Sequence, residues 1–228
     1  MRARLLTGGC TVILIACVLV IAAPFVILHI GPKIPRQLAA ETVNDFRFFQ
    51  HQVSYPKSYS RNLQASVVVL WALVMLITLC VEPSLVFLIQ TAVLAGCLLL
   101  GALIDHRTGL LPFRVSYALG IVGLYQAALM APESVAPTLG SAVLIYSLGS
   151  VLNWLAVRRL GHPVIGGGDV VLLTMLTTWF PMIGIAVVIW MASLTGLFEA
   201  RWTRRPAIRL GPHLALGALS YWFAQAIL

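Results

Sequence analysis

The chain has 228 residues, of which 60% are hydrophobic and only 10% charged, with a mean hydropathy of +0.96. A soluble domain carries about 25% charged residues, so this composition excludes a water-soluble globular protein. The formal net charge of +8 is not a nucleic-acid signal, because no stretch mixes many Lys or Arg with stacking aromatics.

In lipid every backbone N–H and C=O needs an internal partner, which leaves helices or closed barrels. The apolar runs are too long and too uniform for barrel strands, which alternate. The expected fold is therefore all-α: a polytopic membrane helical bundle of about eight membrane segments, with six or seven as alternatives. The first run, 10–30, follows Arg2 and Arg4. It is long enough to span and reads as a transmembrane helix rather than a cleaved signal. A polar stretch, 31–64, comes next. These two pieces form the expected first domain, 1–64, and the remainder, 65–228, the membrane-embedded one.

Runs 66–82 and 84–104 are joined by the turn Glu82-Pro83-Ser84, and Asp105 ends the second. A helix over 115–131 stops at Pro132, and another covers 137–157. Arg158-Arg159 then opens a loop that reaches Asp169. The apolar stretch 170–198 would be ~44 Å long as one helix, against a bilayer core of ~30 Å. With Pro181 inside it, it reads as two short helices, 170–180 and 182–198, a single kinked helix being the alternative. The last helix is 211–228.

Loops 31–64, 105–114, 158–168 and 199–210 hold every Lys and Arg except Arg2 and Arg4. The turns at 82–84 and 132–136 hold only Glu82 and Glu133. The basic loops are expected on the cytoplasmic side, and both Asp105 and Asp169 fall there. Two spans separate the acids, which is the parity that puts them on one face.

Carboxylates near a bilayer are costly and usually mark function or a buried partner. Asp105 lies in Asp105-His106-Arg107-Thr108-Gly109-Leu110-Leu111-Pro112, and Asp169 in Gly166-Gly167-Gly168-Asp169-Val170. Two carboxylates held close enough cannot both ionise, so one serves as base toward water while the other donates to a carbonyl. Gly166 and Gly168 leave room for an extended substrate segment to lie along the backbone. Each acid also has a plainer reading: Asp105 as an interfacial carboxylate paired with Arg107, and Asp169 as a helix N-cap. Cys10, Cys17, Cys80 and Cys97 all sit in apolar runs and form no Cys-x-x-Cys pair, so no metal site is expected.

Ala102-Leu103-Ile104-Asp105-His106-Arg107-Thr108-Gly109-Leu110-Leu111-Pro112 is similar to the first aspartate motif of the type IV prepilin peptidases, the leader peptidase family of Gly-x-Gly-Asp aspartyl proteases. Gly166-Gly167-Gly168-Asp169-Val170-Val171-Leu172-Leu173 resembles the second motif, and Gly211-Pro212-His213-Leu214-Ala215-Leu216-Gly217 the last helix. The resemblance implies catalytic roles for Asp105 and Asp169. It implies removal of short basic leaders from prepilin or pseudopilin precursors at the cytoplasmic face of a bacterial inner membrane. Many members also N-methylate the new terminus with S-adenosylmethionine; the short 31–64 loop leaves that activity open here. Larger members bind zinc through paired cysteines in a cytoplasmic insert, which this chain lacks. Phe113 and Val171 depart from an acid and a lysine common in the family.

Two rival readings stand beside this one. A transporter or cation pathway would place two buried acids in several polar helices, whereas these acids cluster at one surface. A scaffold without chemistry would tolerate loss of either aspartate. Neither the oligomeric state nor the precursor is legible in the sequence.

Overall fold

The structure, a computed structural model, describes residues 61–82, 84–204 and 208–227. The first expected span, 10–30, and nearly all of the 31–64 stretch lie outside the described residues. Among those described, seven α-helices and one 3-10 turn account for the regular structure: α1 (Arg61–Val81), α2 (Leu85–Thr108), α3 (Phe113–Met130), the 3-10 turn (Pro132–Ser134), α4 (Val135–Leu160), α5 (Gly167–Leu176), α6 (Met182–Thr203) and α7 (Leu210–Ile227).

The helical membrane class holds; the expected eight segments include 10–30, which is not among the described residues. Among the described residues four stretches are long and apolar enough to cross: Leu85–His106, Phe113–Met130, Pro132–Leu160 and Met182–Thr203. Ala65–Val81 and Gly167–Leu176 are apolar but shorter. A ten-residue helix such as α5 extends ~15 Å, half the hydrocarbon thickness.

The stretch 170–198 is two helices, α5 and α6, not one kinked rod. The chain leaves α5 through a partly buried turn at 177–181, with Thr177 and Phe180 almost fully covered and Pro181 exposed. Irregular backbone at membrane depth survives only where protein satisfies it. Here Trp179 N and Phe180 N both donate to Leu176 O at 3.0 Å. The Thr177 and Thr178 hydroxyls donate to the Thr174 and Met175 carbonyls, each at 2.7 Å. Trp179 Nε1 donates to Leu119 O of α3 at 2.9 Å. The Trp222 ring stacks on Phe87 and meets Trp179 and Phe180 edge-on.

Helix ends also shift. Asp105 does not end α2; the helix runs on to Thr108 because nothing in His106-Arg107-Thr108 breaks it. Gly109 stops it, taking φ 73 and donating its N–H to Asp105 O. Only glycine adopts that backbone freely. α6 likewise continues to Thr203, drawing Glu199 and Arg201 out of the expected loop and into helix. Pro137 is accommodated inside α4 because it falls in the first turn, where N–H groups have no helical partner.

Two three-helix packings form most of the bundle: α7 lies against α2 and α6, and α5 against α3 and α4, while α1 packs on α2. One core runs through both, from Leu94 and Leu98 through Leu172 and Leu176 to Val188, Leu214 and Trp222. Small residues permit the closest approaches, with Gly120 and Gly149 facing Met175 and Val170 of α5.

Candidate active site

The C-terminal end of α2 meets the N-terminal ends of α5 and α7. Asp105 sits in the last turn of α2 and is buried, 5% exposed. The backbone N–H of Gly211, in the first turn of α7, donates to Asp105 Oδ2 at 3.0 Å. A helix's first turn presents N–H groups without helical partners and a partial positive charge, so a carboxylate is well placed there. The contact is close enough that a Cβ on Gly211 would lie 2.6 Å from Asp105 Oδ2. Arg209 and His213 are within electrostatic reach of the same carboxylate.

Asp169 is the third residue of α5 and is partly buried. It is not the N-cap: Gly166 holds that position and caps with no side chain. The Gly166 carbonyl accepts from Asp169 N at 3.0 Å and Val170 N at 3.1 Å, which fixes the first turn. The Asp169 carboxylate interacts electrostatically with Asp105. Two acids 64 residues apart in sequence thus come within electrostatic range from the ends of α2 and α5.

The two motifs also touch through backbone. Gly168 is buried, and a Cβ there would fall 2.8 Å from both Leu111 O and Leu111 Cβ. Leu111 belongs to the tight 109–112 link between α2 and α3, so the link after the first acid packs on the glycine before the second. Gly166 is exposed, and a Cβ on it would lie 2.6 Å from Asp169 Oδ2. Gly167 meets nothing within 4 Å.

A polar network that the sequence did not single out braces the site. His213, buried in α7, places Nε2 2.8 Å from Glu199 Oε2 and Nδ1 3.1 Å from Thr195 Oγ1, both on α6. It ties α6 to the helix whose first turn holds Asp105. The sequence signal was a carboxylate directly after an apolar run, which reads as a solvated loop residue until α6 is known to continue. His162, by contrast, is exposed and contacts only the neighbouring Pro163 carbonyl, at 3.2 Å.

The sequence profile of the type IV leader peptidase family matches residues 92–200. That stretch contains both acids and their motifs. Through residues 92–200, the chain belongs to the type IV leader peptidase family. It is therefore a membrane-embedded protease. The match ends before Gly211, so the α7 contribution to this leader peptidase site rests on geometry alone. No curated protein and no solved structure matches the chain.

Proposed function

We propose that this leader peptidase is an aspartic endopeptidase with Asp105 and Asp169 as its catalytic pair. The supporting observation is that two acids from separate helix ends come within electrostatic range of each other, with Asp105 held by the Gly211 N–H. A water between them attacks the scissile carbonyl. One carboxylate takes the water proton while the other, protonated, donates to the carbonyl oxygen. The tetrahedral intermediate then collapses, the peptide C–N bond breaks, and the new amine leaves with a proton from the dyad. No metal or cofactor enters this scheme, and S-adenosylmethionine would serve only a separate N-methylation.

The substrate we assign is a type IV prepilin or pseudopilin-like precursor with a short basic leader and a hydrophobic helix after the cleavage site. Basic residues close the helices on either side of the second motif, with Arg158 and Arg159 in the last turn of α4 and Arg201 in that of α6. This supports our reading that the site faces the cytoplasm, in a bacterial inner membrane. The exposed backbone at Gly166 is where we seat the extended cleavage segment, with Gly168 holding the loop behind it. Mass spectrometry of products from a panel of such precursors, incubated with the protein in membranes, tests this assignment. A new N-terminus at the leader junction supports it; no cut in any precursor removes it.

A further inference from the structure

We propose that Asn153 is a positioning residue for Asp169, clamping the loop that leads into the helix carrying the second acid. The inference rests on the function proposed above. Asn153 lies two turns before the end of α4, with otherwise apolar neighbours from Val151 to Val157. Asparagine is a poor mid-helix residue because its amide competes with the backbone. Here the amide is committed elsewhere. Nδ2 donates to Ile165 O at 2.8 Å, while Oδ1 accepts from Ile165 N at 2.9 Å and Val164 N at 3.2 Å.

All three bonds go to two adjacent residues, and these immediately precede Gly166, the N-cap of α5. From Gly166 the order is rigid, since its carbonyl takes the N–H groups of Asp169 and Val170. Before Gly166 the chain has little else to fix it. Residues 161–164 are exposed, and three successive glycines offer no side chain to lock the backbone. The position of the α5 start, and with it Asp169, is thus set from two sides. Leu111 abuts Gly168 from the first motif, and Asn153 grips Ile165 from α4. A side chain used only for its own hydrogen-bonding needs would be satisfied by one bond to its own helix, as Ser141 and Ser193 are.

The test uses the full-length protein in lipid nanodiscs, as wild type, Asn153→Leu and Asn153→Asp. The aspartate keeps an acceptor for both loop N–H groups; leucine keeps none. Asn153→Leu is expected to lower kcat about tenfold with KM within about twofold, since ångström-scale misplacement of a catalytic group costs up to ~100-fold. Asn153→Asp is expected to recover most of that loss. Hydrogen exchange of segment 164–170 should quicken in Asn153→Leu, with α2 and α7 unchanged. Unchanged kcat, or unchanged exchange of 164–170, overturns the proposal. So does a loss of stability, kcat and KM together that Asn153→Asp does not relieve. The exchange measurement does not depend on turnover, so failure of wild type to cleave any precursor counts against the proposed function and leaves the clamp to be decided by exchange.

Discussion

The N–H of Gly211 and the carboxylate of Asp105 are 106 positions apart in sequence and 3.0 Å apart in space. The last helix is therefore part of the site, although no acid of the pair comes from it. Its first turn supplies a fixed donor to a buried carboxylate, a contact stronger than a neutral hydrogen bond.

Gly211→Ala should be nearly inactive at normal abundance. The added Cβ would lie 2.6 Å from Asp105 Oδ2 and 3.0 Å from Asp105 Cβ and Cγ, so the carboxylate or α7 must shift. We expect precursor cleavage to fall about 100-fold, equivalent to ~2.7 kcal/mol in the barrier. Initial rates at matched membrane protein levels check this.

The three glycines before Asp169 should respond differently to the same substitution. Gly167→Ala meets open space and gains helix propensity of ~1 kcal/mol, so activity should persist and thermal stability rise slightly. Gly168→Ala strikes the Leu111 backbone and should cost ~1–3 kcal/mol as overpacking, with loss of cleavage. Gly166→Ala crowds only the Asp169 side chain, so cleavage should fall while stability holds. Rate and melting temperature measured for all three separate these outcomes.

The acid pair, the order of the motifs and the parity of helices between them were legible in sequence because each follows from local composition. The rest was not. Asp105 seemed to end its helix because charge usually marks a membrane boundary, yet the first residue able to stop α2 was Gly109. Glu199 read as loop for the same reason. Asn153 was hidden because a few polar residues barely alter the average over a long apolar window. The Gly211 donor was invisible because sequence separation carries no distance.

Breaking the His213–Glu199 contact should loosen α7 against α6. His213→Ala leaves a buried position without its partners and should cost ~1–3 kcal/mol. Glu199→Gln should cost less, because the glutamate side chain is 42% exposed and the amide can still accept. A double-mutant cycle on thermal unfolding in detergent should give a coupling of about 1 kcal/mol; additive effects would contradict the pairing.

Far from the acids, Trp222 Nε1 donates to Thr91 Oγ1 at 2.8 Å. Trp222→Phe should lower the melting temperature through loss of that bond, worth about 1 kcal/mol, and leave kcat near wild type. A fall in kcat without a stability change would contradict a purely structural role.

The most direct test of the catalytic pair is precursor cleavage in membranes by wild type, Asp105→Asn and Asp169→Asn, each at matched abundance. Asparagine preserves the shape of each side chain but neither takes nor releases the proton the reaction needs. The account predicts cleavage by wild type and none detectable from either variant. Near-normal cleavage by Asp105→Asn or by Asp169→Asn would contradict it.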